Sequence, residues 1–87
     1  MNSVADVSFW NAYKRLPSKV RAEVLKAFLL WMADPFHPSL HFKCMDREEN
    51  IWSARVTRGY RALGVLEGNT VTWYWVGHHD AYVRRLA

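Results

Sequence analysis

Apolar positions recur every three or four residues in the first third of the chain and then alternate, so two kinds of element are predicted. From Ser8, the residues Phe9, Trp10, Tyr13 and Leu16 keep helical spacing until Pro17 stops the run. Ser18 has a side chain able to cap a second helix, whose apolar stripe is Val20, Val24, Ala27, Phe28, Trp31 and Met32. Lys19, Glu23 and Lys26 make its polar face, and Asp34-Pro35 closes it, because a residue before proline is pushed out of the helical region. Residues 8–33 therefore read as a helical hairpin. Beyond it, runs rich in Trp, Tyr, Val and Thr are separated by Gly and Asn signals, which predicts four strands at about 40–45, 51–57, 60–66 and 70–77.

Two turns set the expected register. Gly68-Asn69 suits a two-residue hairpin, since both types tolerate positive φ. Pairing around it puts Leu66 opposite Val71 and, counting back, Arg61 opposite Val76, so that Arg61 would share a face with Thr72, Tyr74, Val76 and His78. Arg58-Gly59 as a two-residue turn would pair Val56 with Arg61 and send Arg55 to the other face, whereas a bulge would reunite the two arginines. The alternation in IWSARV favours the bulge, with Trp52, Ala54 and Val56 against the helices and Ser53 and Arg55 on the open side.

Length and composition narrow the picture without changing it. Eighty-seven residues suffice for one domain over positions 1–87, and an apolar content of 51% with 15% aromatic residues provides for a core. The single cysteine, Cys44, cannot form an intrachain disulfide, which fits a reducing, cytoplasmic setting. No stretch has the length and apolarity of a membrane span, so no membrane partner is expected. Twelve Lys and Arg against 8 Asp and Glu give a net charge of +4. The excess concentrates in 51–66, where Arg55, Arg58 and Arg61 meet no acidic residue, marking an anion-facing surface.

The chain closes on GHHDAYVRRLA, where Gly77 is read as the end of the last strand and His78, His79, Asp80 and Tyr82 follow within six residues. If a helical turn starts there, His79 and Tyr82 stand at i and i+3 on one side. Histidine titrates near neutrality, and guanidinium forks hold phosphate bidentately, so these groups suit a metal-free ribonuclease. In that chemistry the ribose 2′-hydroxyl attacks its own 3′-phosphate while a base, an acid and cations assist. The histidines do not have zinc-site spacing: His37 and His41 flank Pro38, and no Cys-x-x-Cys is present, so neither metal nor cofactor is expected. Trp73, Tyr74 and Trp75 have the faces to stack bases, although aromatics at strand period more often belong to a core.

The strings HPSLHFK, IWSARVTRGYRALG and TVTWYWVGHHDAY, with LPSKV at the start of the second helix, resemble the RelE/ParE superfamily of toxins from bacterial type II toxin–antitoxin systems, on its RelE/HigB-like side. The resemblance implies an α+β fold in which an N-terminal helical hairpin packs on a twisted, mainly antiparallel four-stranded sheet. It implies a cognate antitoxin as partner. For RelE-like members it implies cleavage of mRNA on the ribosome, and for ParE-like members inhibition of DNA gyrase without catalysis; a toxin fold that only binds its partner is a third reading. Arg61 in the GYR string matches the arginine that holds the scissile phosphate, and Arg55 resembles the basic position on the preceding strand. His79 falls where RelE-type sequences often carry arginine, and Tyr82 matches their terminal tyrosine one residue nearer. Arg58, Lys43 and His78 are, on their own chemistry, the expected RNA contacts. The lysine pair of RelE is replaced here by Trp52 or Ser53 and Ala54, which leaves Lys43, His41 or another division of labour to compensate.

Overall fold

The computed structural model describes residues 1–86, with the side chains of Tyr82, Val83, Arg85 and Leu86 outside the described set. In chain order it has β1 (Asn2–Ala5), α1 (Val7–Lys14), α2 (Ser18–Ala33), a short 3-10 turn (Pro38–Leu40), β2 (Lys43–Asp46), β3 (Ile51–Thr57), β4 (Tyr60–Glu67), β5 (Thr70–His78) and α3 (His79–Leu86). The strands form one sheet in the order β1-β5-β4-β3-β2, antiparallel except where β1 runs parallel to β5. The expected α+β architecture, a helical hairpin on a mainly antiparallel sheet, is thus present, with five strands instead of four. No helix is long and apolar enough to cross a membrane among the described residues.

The added strand is β1, whose four residues carry too short a pattern to signal a strand. Its register, from Asn2 with Thr70 to Ala5 with Trp73, and the Trp73 Nε1–H donating to Ser3 Oγ at 3.0 Å hold it in place. The first helix starts one residue before Ser8. Asp6 is its N-cap, accepting from the Ser8 N–H at 3.2 Å and from the Ser8 hydroxyl. These donors hold the Asp6 carboxyl below its ordinary pKa, the hydroxyl contributing most. Ser18 does not cap α2. Pro17 occupies the cap position, its carbonyl accepting from the Val20 and Arg21 N–H groups, and Ser18 is already the first helical residue.

The hairpin packs on one face of the sheet. Phe9, Leu16, Val24 and Trp31 meet Ala54, Ala62, Val71, Trp73 and Val76, with Leu40 and Phe42 closing one end. Trp31 is the keystone, edge-on to Phe42 at 5.6 Å and to Trp73 at 5.5 Å. Its indole N–H is buried with no hydrogen-bond partner among the described residues, an arrangement that costs about 1–3 kcal/mol and is offset by ring packing. The predicted α2 stripe is only half used: Val24 and Trp31 are buried, but Phe28 and Met32 are exposed and continue into Leu25 and Leu29. α2 is apolar on more of its circumference than one sheet can cover.

Two irregularities decide which side chains share a face. In β3 the register slips between Arg55 and Thr57, so Val56 is the extra residue and Arg55 stands directly opposite Arg61. The bulge reading of the Arg58-Gly59 hairpin is therefore correct, and Trp52, Ala54 and Val56 all pack against the helices as expected. In β5 a second slip lies opposite Leu63 and Gly64, leaving Tyr74 as the extra residue. Leu66 does face Val71, but Arg61 faces Gly77 and not Val76. Counting back through a regular hairpin fails by one residue, and because strand faces alternate with period two, one residue reverses the face. Arg61 shares the side away from the helices with Thr72; Val76 and His78 lie on the helix side.

Candidate functional site

At one end of the sheet, on the face turned from the hairpin, basic side chains line up across neighbouring strands. Arg55 and Arg61 are directly paired. Like charges placed opposite one another destabilise an antiparallel pair, so this arrangement needs either a compensating structure or an anion. For Arg61 the compensation is local: Nη1 donates to the carbonyls of Thr57 at 2.7 Å, Tyr60 at 3.0 Å and Arg58 at 3.2 Å. The β3–β4 turn thus grips one nitrogen of the fork and fixes the direction of the guanidinium before any ligand arrives. On the other side of Arg55, its Nη1 lies 3.4 Å from His41 Nε2. Since a guanidinium only donates, the imidazole nitrogen is the acceptor in this contact.

His41 is held for this contact by unusual backbone. It ends the 3-10 turn in the left-handed region, at φ 45° and ψ 41°, a conformation few non-glycine residues adopt. From sequence, His41 stands only beside Lys43 as a substitute for the missing lysine pair, because no local pattern announces a left-handed residue at a histidine. Lys43 sits two positions further on, opposite Ser53, and is exposed on the same face as the arginines. Arg58 is exposed at the tip of the β3–β4 turn, beside Arg61. Arg55 also borders the groove between β3 and α2, together with Glu23 and Lys26.

The His-x-x-Tyr segment divides. Gly77 does not end β5; it pairs with Arg61, and the strand runs one residue further. His78 pairs with Tyr60 on the helix side, edge-on to its ring at 5.3 Å, and its Nδ1 accepts from the Asp80 N–H at 3.2 Å, so it behaves as a cap for α3. His78 is therefore on the opposite face from Arg61, the β5 bulge being the cause. His79 begins α3, with its backbone N–H donating to the Gly59 carbonyl at 2.7 Å, which ties the helix start to the turn that grips Arg61. Tyr82 falls one helical turn later in α3, and its side chain lies outside the described residues. The structure thus brings together Arg55, Arg61, Arg58 and the start of α3, adds His41, and separates His78. Among the described residues, no three His, Cys, Asp or Glu side chains stand together as a metal-binding group.

A fold with this order of elements and a basic row beside a C-terminal helix invites comparison with known proteins. The family model described as the ParE-like toxin domain matches residues 20–84. The chain belongs to that family. A sequence search of curated proteins finds no match. Among solved structures, the toxin domain is similar to the RelB–RelE antitoxin–toxin complex of Methanococcus jannaschii, with a TM-score of 0.76 at 15% identity, covering 97% of this chain and 99% of that one. It is similar to the RelBE2 toxin–antitoxin complex of Mycobacterium tuberculosis, with a TM-score of 0.70 at 24% identity, covering 90% and 96%. A YoeB/ParE toxin from Agrobacterium tumefaciens gives 0.69 at 18% identity, covering 91% and 99%. The fold of the toxin domain is that of the RelE, YoeB and ParE toxins.

Proposed function

We propose that this toxin acts as a metal-independent endoribonuclease that cleaves mRNA on the ribosome and so inhibits translation, and that a cognate antitoxin neutralises it. The observation that carries this reading is the direct cross-strand pairing of Arg55 with Arg61 on the face away from the core. Two guanidinium groups facing each other make a site for one phosphate, and they would stabilise the extra charge of a phosphorane. Arg61, Arg55, His79 and Tyr82 are the catalytic set of this proposal, with the ring nitrogens of His79 and the phenol of Tyr82 as proton carriers. Arg58 and Lys43 contact the RNA backbone. His78 orients α3 and meets RNA only at the edge of the site. The substrate supplies its own nucleophile, which is why no serine, cysteine or metal is needed.

The antitoxin proposal rests on chemistry as well as on the family. Leu25, Phe28, Leu29 and Met32 form an exposed apolar stripe on α2, of the kind that marks a protein contact, and the +4 charge favours an acidic partner. Co-expression with an adjoining acidic reading frame should give a complex that survives moderate salt and abolishes toxicity. Separation of the two proteins with toxicity unchanged contradicts this.

The second reading, inhibition of DNA gyrase, is favoured by the ParE-like family match. Induction of the protein, with mRNA 5′ ends mapped and plasmid supercoiling assayed in the same cells, separates the two. New 5′ ends within translated codons support the nuclease; intact mRNA beside gyrase-linked DNA breaks refutes it.

A further inference from the structure

The two arginines of the paired row are held in unequal ways. Arg61 donates to three carbonyls of the β3–β4 turn, so the hairpin itself fixes the direction of its guanidinium. Among the described residues, the side chain of Arg55 meets one hydrogen-bond acceptor, His41 Nε2, at 3.4 Å from Nη1. A long side chain held at one point keeps much of its rotamer freedom unless that point is itself rigid. Whether Arg55 is aimed at all therefore depends on His41.

His41 is well placed and well anchored. Continuing the β2–β3 register back from Lys43, which stands opposite Ser53, brings His41 level with Arg55, so imidazole and both guanidinium groups belong to one cross-strand row. Its backbone N–H donates to the Pro38 carbonyl at 3.3 Å, and its neighbours Leu40 and Phe42 are both buried in the core. The left-handed conformation, φ 45°, ends the 3-10 turn. Glycine or asparagine is the residue such a cap calls for, because a larger side chain crowds the backbone there. The end of the turn thus explains the conformation but not the choice of histidine. What the imidazole adds is the contact with Arg55.

We propose that His41 is a positioning residue of the phosphate site, its imidazole accepting from Arg55 and aiming that guanidinium at the phosphate Arg61 also holds. The inference rests on the reading of this toxin as a ribonuclease. The contact occupies Nη1 of Arg55, which leaves Nε and Nη2, the side-on edge of the fork, to meet a phosphate bidentately. In this role His41 touches neither substrate nor reacting atoms and acts through Arg55 alone.

The test combines thermal melting with single-turnover cleavage of mRNA on programmed ribosomes by the full chain. His41→Gly removes the imidazole and suits the left-handed backbone, so it should melt no lower than the wild type. It should nevertheless cleave about 10-fold more slowly, as expected for a lost hydrogen bond to a charged group. His41→Gln keeps an acceptor at similar reach and should recover part of the rate. In an Arg55→Ala background, His41→Gly should change nothing further, since no guanidinium is left to position. His41→Asn, which tolerates the same backbone and is too short to reach Arg55, decides by the same criteria if His41→Gly does not fold. Wild-type cleavage by His41→Gly overturns the role and leaves the nuclease in place. So does a loss that persists undiminished in the Arg55→Ala background, which a histidine acting directly on the substrate would give. A wild type that cleaves no programmed ribosome overturns both.

Discussion

The two faces of the sheet are made from the same strands and do opposite things. On the helix face, small residues lie under large ones: Ala54, Ala62 and Gly64 receive the hairpin and Trp73, and a Cβ at Gly64 would approach Val71 Cγ1 to 2.6 Å. That face carries the buried apolar residues of the core. On the far face, Arg55 confronts Arg61, an imidazole is held against a guanidinium by left-handed backbone, and an indole lies over a glycine. The Trp75 indole shields Gly77 and the fully buried Leu63 beside it, whereas the paired arginines add charge and no apolar burial. The lesson is that two bulges, at Val56 and Tyr74, decide which side chains of an 87-residue chain meet the hairpin and which turn away from it.

The strongest way to break the helix face alone is Trp31→Ala. It should destabilise the domain by about 3–5 kcal/mol, a large part of what a domain of this size possesses, and abolish the cooperative melt. Thermal unfolding followed by circular dichroism reads it. On the far face, Arg61→Ala should reduce cleavage by about 10²–10³-fold, as removal of a charge-stabilising donor does. It also frees the carbonyls of Thr57, Arg58 and Tyr60, so its Tm should fall modestly, while Arg61→Lys restores only part of the activity because an ammonium lacks the fork. Growth inhibition at equal expression is the readout, and full toxicity of Arg61→Ala contradicts the assignment. Gly64→Ala sharpens the comparison. It should destabilise by about 1–3 kcal/mol through overpacking and leave the toxicity of the folded fraction unchanged.

How much of this was legible depends on whether a feature has a local cause. The hairpin of residues 8–33 and the Gly68-Asn69 turn follow from spacing and turn chemistry and are found where read, although of the two turn residues Gly68 has positive φ and Asn69 does not. The union of Arg55 with Arg61 could be argued because IWSARV alternates clearly enough to demand a bulge. The bulge at Tyr74 could not, since every residue of TVTWYWV suits either face of a strand. That one unmarked residue moved Arg61 from Val76 to Gly77 and put His78 on the wrong side. Gly77 looked like a strand breaker because its reason for being glycine is the indole two residues away. β1 escaped notice as four residues with no apolar pattern, and α3 extends well past the single turn that the sequence suggested.

The smallest predicted effect lies at the start of α1. Asp6→Ala removes the acceptor for the Ser8 donors and should lower the Tm slightly at neutral pH. The Asp6 carboxyl titrates below its ordinary value when folded, so its contribution is complete above the unfolded pKa and is lost as pH falls through the folded one. Melting curves of wild type and variant should therefore converge in acid. A constant difference down to that range contradicts the capping role.

The central claim is that Arg55 and Arg61 hold one phosphate between them. Its most direct test is single-turnover cleavage of mRNA on programmed ribosomes by the wild type, Arg55→Ala, Arg61→Ala and the double variant. Groups that act as a unit are far from additive. The account predicts cleavage by the wild type, a loss of about two orders of magnitude or more in each single variant, and little further loss in the double. No cleavage by the wild type, or losses in the two variants that simply multiply in the double, would contradict it.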